Sequence, residues 1–453
     1  MGSRGGRDPG FLEPSYAVAG FAAPAELSGR LGETAGDGDV VAAACGYWAR
    51  RGLETGPERV LLAPGGGALL LALLAARGGD ILVPRPCAAW WLPQARLLGR
   101  AAHPVPTPAE YGGVPDPYAL METVRRVLRE GGDPRVLVLG VVDDPTGTVP
   151  EPEAVDAALE AAAGCGLTVV VDESLRDTPH SPHHPLVLSP ARAHPDDVVV
   201  LTDLAGALLP ADWPLALARF PATPAGLALR ARTADALTVA GARPAGPLRA
   251  PAAHALAEPP ELRARARAIA RAHGLVARAA HARATAAGAF ALPPHAGRSL
   301  LVDLGPFREA LAARGVLDAV DLEADLGARL PFPVHGGHRF GDPLPALRVR
   351  VPTAGLLGPS PAAREPALTS PDPLALPDPR RALSMFEAVL RDLAATEPPH
   401  APGTGHRQDG TGTATHAGRD SRDTGTGTGA GTDAGTGTGT GTGTGGRTVE
   451  GAE

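Results

Sequence analysis

The stretch VVVLTDLAGALLPADWPLALARF, residues 198–220, decides how this chain is read. An apolar run of strand length opens it, a loop with glycine and proline interrupts it, and a second apolar run closes it. The β-branched residues of the first run suit a strand buried on both faces. Just upstream, LTVVVDES (167–174) is another such run and ends in acids. Both read as strands, with DES following Val171 and TDLAG following Leu201.

Working outward, strand and helix patterns alternate from Glu58 onward. RVLLAP (59–64), DILVPRP (80–86) and RVLVLGVV (135–142) read as strands. Between them, GGGALLLALLAARGG (65–79), CAAWWLPQARLLGR (87–100) and YALMETVRRVLR (118–129) read as helices. EPEAVDAALEAAAGCG (151–166) has acids first and glycines last, which suits the helix dipole and a C-terminal cap. Repeated β-α units with near-continuous apolar strands predict an α/β fold: a mostly parallel sheet with helices on both faces. Ligands of such sheets bind at the carboxyl ends of the strands. GGG (65–67), DDPTG (143–147), DES (172–174) and TDLAG (202–206) all fall there.

After about Pro221 the texture changes to a smaller α+β domain. It reads as a long Ala/Arg helix (261–288), a strand RSLLVDL (298–304), a helix (306–315), a strand LRVRVP (347–352) and a closing helix (380–395). The expected organisation is a flexible lead over 1–10, an N-terminal segment over 11–57 and a large α/β domain over 58–221. The smaller domain follows over 222–395, with a Pro-rich loop at 358–379, and then a disordered Gly/Thr-rich tail over 396–453. The tail offers no apolar surface to offset the entropy of ordering it.

Composition narrows the function classes. A net charge of −7 argues against a nucleic-acid partner. The arginines of 261–283 (Arg263, Arg267, Arg271, Arg278) form one stripe of a helix whose other stripe is apolar, as on a solvated helix face. Three scattered cysteines suit a reducing, cytoplasmic compartment, and the apolar run 68–76 is too short to span a membrane. The histidine groups HSPHH (180–184) and HGGH (335–338) lie in Pro/Gly loops without metal-ligand spacing, so no metal is expected. All 42 Lys+Arg residues are arginine, and asparagine is also absent. A GC-rich genome accounts for that joint depletion, but not for the loss of a lysine that chemistry requires.

Taken in order, these motifs resemble the pyridoxal-phosphate (PLP) enzymes of the class I/II aminotransferase family, fold type I, over most of 36–395. The resemblance implies that Gly65, Gly66 and Gly67 cradle the cofactor phosphate; a tight strand–helix turn without a ligand is the other reading of the same residues. In DDPTG the family's ring-oxygen asparagine is Asp144, which accepts hydrogen bonds where the family donates one. Asp172 matches the aspartate that grips the protonated ring nitrogen, and Leu175 stands where the family has tyrosine. In the opening stretch Asp203, Ala205 and Gly206 stand for serine, serine and the Schiff-base lysine, and Pro214 for the phosphate arginine. Arg348 fits the place of the arginine that clamps the substrate carboxylate, with Arg350 next on the same strand face. The family's ring-stacking position falls on Ala88, beside Trp90 and Trp91, which read as core anchors.

Three functions follow from the resemblance. The first is a pseudoenzyme that cannot transaminate, with no catalytic residue at Gly206, serving as a regulatory partner of an active aminotransferase-like paralogue. The second is an enzyme that binds PLP or pyridoxamine phosphate non-covalently and acts on an amino acid or related small acid. The third is a dimerisation module with an emptied site. A homodimer is implied in each case.

Overall fold

The computed structural model describes residues 36–181 and 187–395. The lead expected over 1–10, most of the 11–57 segment, the tail over 396–453, and His183 and His184 lie outside them.

Seven strands form the large sheet: β1 (Val60–Ala63), β2 (Asp80–Arg85), β3 (Ala102–Pro106), β4 (Pro134–Gly140), β5 (Thr168–Asp172), β6 (Val198–Asp203) and β7 (Ala216–Arg219). Their order is β1-β7-β6-β5-β4-β2-β3. The pairs from β3 through β6 are parallel, and only β7 runs the other way, antiparallel to β6 and β1. The alternating side chains of β5 and β6 explain the unbroken apolar runs. Val169, Val171, Val198 and Val200 enter one core with Trp48 and Leu159. Val170 and Val199 enter the opposite core with Leu69, Leu73 and Val138. Both faces are covered, so neither needs polar residues.

Among the elements that the sequence reading did not name are β3 and the helix Pro224–Val239. β3 carries Pro104 and Pro106, which argue against a strand, yet it is the terminal strand of the sheet, where a missing N–H faces no partner. The helix Pro224–Val239 lacks an apolar stripe, because its polar and apolar residues are not sorted to separate faces. It is set by Thr223, whose side chain accepts from the Gly226 N–H, and it buries Leu229 and Leu237 against the helix Gly66–Arg77.

The second sheet holds β8 (Phe290–Ala291), β9 (Ser299–Asp303), β10 (His335–Gly336) and β11 (Arg348–Pro352), all antiparallel in the order β10-β11-β9-β8. The helix Pro260–Ala286 lays Ile269, Ala272, Val276 and Ala280 into its core, while Arg263, Arg267, Arg271 and Arg278 stay exposed. The Pro-rich stretch 358–379 is not a loop. It contains the helix Pro361–Thr369, a 3-10 turn at Pro373–Ala375 and the start of the helix Pro377–Ala394. Pro361, Pro373 and Pro377 open these elements, where the absent N–H would have had no partner, so counting prolines misleads here. Among the described residues no helix is long and apolar enough to cross a membrane.

Candidate active site at the carboxyl edge of the large sheet

The ends of β1, β4, β5 and β6 converge on one cavity of about 390 Å³. Gly65, Gly66, Gly67, Trp90, Trp91, Asp144, Asp172, Ser174, Asp203 and Pro214 line it. Among the described residues, no arginine or histidine does. The glycine turn, Asp144 and Asp172 therefore line the same cavity, with three carboxylates among its lining residues.

Each carboxylate already has partners from the chain. Asp203 accepts the Gly66 N–H through Oδ2 at 2.7 Å and the Ala205 N–H through Oδ1 at 3.0 Å. Its own N–H donates to Ser174 Oγ at 2.9 Å. Ser174 in turn donates to Asp172 Oδ1 from its hydroxyl at 2.5 Å and from its N–H at 2.9 Å. Trp91 Nε1–H donates to Asp172 Oδ2 at 3.3 Å. One hydrogen-bond chain thus runs from Trp91 through Asp172, Ser174 and Asp203 to the N-terminus of the helix Gly66–Arg77. Withdrawal from solvent pushes the Asp172 carboxyl up to about 6, against the opposing pull of Ser174 and Trp91. The same cause raises Asp203, opposed by its two N–H donors.

Asp144 Oδ1 meets Arg350 Nε at 2.8 Å and accepts from Ser299 Oγ at 3.2 Å. This carboxylate is held by β9 and β11 of the second sheet. Arg348, the expected carboxylate clamp, lies elsewhere. Its guanidinium bonds Asp303 at 3.0 Å and Asp342 at 3.2 Å, and it lines a different cavity with Arg85 and Thr107. The arginine that reaches the glycine-turn site through Asp144 is Arg350, two residues on.

Gly206 is not in the cavity wall, although Ala205 and Ala211 are. It sits at φ 80° in a tight turn, donating its N–H to Leu209 O at 2.7 Å, while Leu209 N–H returns to Leu204 O at 2.7 Å. Trp91 is buried as expected of a core anchor and also donates to the site, whereas Trp90 is half-exposed in the wall. Among the described residues no group of three or more His, Cys, Asp or Glu is placed to hold a metal ion.

The family model described as aminotransferase class I and II matches residues 27–201. Solved structures agree on the fold. A tetra mutant of Thermus thermophilus aspartate aminotransferase superposes with a TM-score of 0.64 at 22% identity, covering 81% of this chain and 91% of that one. An aromatic aminotransferase from Pyrococcus horikoshii gives 0.64 at 16% identity, with 84% and 94% covered. A probable N-succinyldiaminopimelate aminotransferase from Thermus thermophilus gives 0.58 at 22%, with 79% and 83% covered. No curated protein sequence matches the chain.

Aminotransferases of this fold use PLP, and the residues here do not fit its phosphate. The Gly66 N–H that would face it is taken by Asp203, and the described wall offers no cation. Asp172 lines the cavity, and its Oδ2 accepts from Trp91. Read alone, the sequence assigns Ser174 no role and names Arg350 only as the neighbour of Arg348. The first had a signal, since an aspartate two residues before a serine is a common side-chain-to-backbone turn. For Arg350 the alternation of the strand pointed to the same face as Arg348 and could not choose between them.

Proposed function

We propose that this chain is a member of the aminotransferase family that does not transaminate and acts through protein partners. The observation that carries this reading is chemical: the chain contains no lysine, and glycine stands at 206 where the family places its Schiff-base lysine. An imine to the cofactor needs a primary amine, and the 1,3-proton transfer of transamination needs that amine again as a base. Arginine cannot substitute, because its guanidinium stays protonated. The surrounding fold is intact, which suits a regulatory or scaffolding partner of an active aminotransferase-like paralogue, with the chain itself a homodimer. The reading as a non-covalent PLP or pyridoxamine phosphate enzyme is disfavoured by Asp203, whose carboxylate stands where the phosphate would need donors.

The test is direct. Purified protein is incubated with PLP and a panel of amino donors and 2-oxo acid acceptors, and product is followed by chromatography. After desalting, no visible cofactor absorbance is expected to stay with the protein, and product formation should equal the protein-free blank. Turnover above that blank would refute the reading. Light scattering checks the homodimer.

A further inference from the structure

We infer that Asp203 is a resident anion: its carboxylate occupies the glycine turn in place of a phosphate and closes the site to every phosphate-bearing cofactor. This goes beyond the missing lysine, which bars a covalent link but not binding.

Both oxygens of Asp203 are engaged, and by different elements. Oδ2 takes the N–H of Gly66 at the start of the helix Gly66–Arg77, and Oδ1 takes the N–H of Ala205 in the following turn. An anion at a helix N-terminus is favoured by the unpaired N–H groups and the helix dipole, so the carboxylate supplies what a phosphate would. The turn is shaped around it. A Cβ at Gly66 would lie 2.9 Å from Asp203 Oδ2 and 3.2 Å from Asp203 Cβ, so the close approach requires glycine there. The carboxylate is also fixed from behind, because the Asp203 N–H donates to Ser174 Oγ and Asp203 pairs with Ala216 across β6 and β7.

Charge points the same way. A phosphate entering the cavity would meet Asp203, Asp172 and Asp144 and no basic residue of the described wall. Arg350 faces Asp144, and Pro214 stands where the family has its phosphate arginine. In a site withdrawn from water, like charges at contact distance repel strongly. The site is therefore satisfied from within, and the fold needs no cofactor to complete it.

The experiment uses the full chain as wild type, Asp203→Ser and Asp203→Asn. Serine removes the charge and leaves room, whereas asparagine keeps the size and one acceptor oxygen. Far-UV circular dichroism establishes that each is folded. Pyridoxamine phosphate, PLP and inorganic phosphate are titrated by calorimetry and thermal melting. Wild type is expected to bind none of them at millimolar concentration, with Tm unmoved. At least one folded variant is expected to bind pyridoxamine phosphate roughly tenfold or more tighter than wild type, with a rise in Tm. Wild-type binding equal to that of the variants overturns the inference. So does a failure of both variants to gain affinity. Wild-type binding without turnover removes this inference and leaves the proposed function standing; turnover removes the proposed function.

Discussion

Replacing Gly206 tests whether this glycine is a vacancy left by a lost lysine or a position its turn now requires. Its φ of 80° is in the left-handed region, and its N–H closes the turn onto Leu209 O. Space is not the obstacle. A Cβ there would sit 3.7 Å from Arg298 Nη1 and 4.0 Å from Ala211 Cβ, both ordinary contacts. The cost of Gly206→Ala is therefore one of backbone conformation, about 1–2 kcal/mol for an L-residue forced left-handed. A net loss of about 1–2 kcal/mol is expected for Gly206→Ala, and the same within about 0.5 kcal/mol for Gly206→Lys, because both carry the same Cβ. Urea unfolding followed by circular dichroism measures both. A variant as stable as wild type would show that the left-handed turn is not needed. Gly206→Lys alone should also gain no retained cofactor absorbance, since Asp203 remains in the glycine turn.

Three further outcomes follow from the ion pairs and the acids. Asp144→Ala removes the acceptor of Arg350 Nε, whose side chain is 10% exposed, and should cost about 2–3 kcal/mol, a charged hydrogen bond rather than a fully dry pair. A double-mutant cycle with Arg350→Met should return a coupling above about 1 kcal/mol, and additivity would place the two side chains apart. Arg348→Ala should leave that cycle unchanged, because Arg348 bonds Asp303 and Asp342. Asp172 holds its proton to about 6 in the folded chain, above its usual 3.8. The native state therefore binds more protons than the unfolded state in that interval, and stability falls as pH rises through it. The difference is at most on the order of 3 kcal/mol, less because the half-buried group keeps some water. Asp172→Asn should flatten the profile between about pH 4 and 6 in melts across that range, and an unchanged slope would assign it to other groups.

Much of this architecture was legible in the sequence for one physical reason. A parallel strand covered on both faces must be apolar at every position, so RVLVLGVV, LTVVVDES and VVVLTD announce themselves. Once they are ordered, the rule that ligands sit at strand carboxyl ends selects Gly65–Gly67, Asp144 and Asp172, and the cavity wall contains them all. What stayed hidden depends on register and on edges. β3 escaped because prolines are harmless on a terminal strand. The helix Pro361–Thr369 escaped because its opening proline looks the same in a loop. Arg350 was not separable from Arg348, since strand alternation puts both on one face and only the docking of β11 beside Asp144 selects between them.

The hydrogen-bond chain from Trp91 to Gly66 also bears on how such a site can change. The side chains of Trp91, Asp172, Ser174 and Asp203 share donors and acceptors with one another and with the Gly66 N–H, so truncating any of the four leaves a neighbour's polar atom to find a new partner. A single substitution at one of these four side chains meets that penalty before a compensating change at its neighbour can offset it. The carboxyl edge of this sheet therefore changes through paired substitutions among these side chains more easily than through single ones.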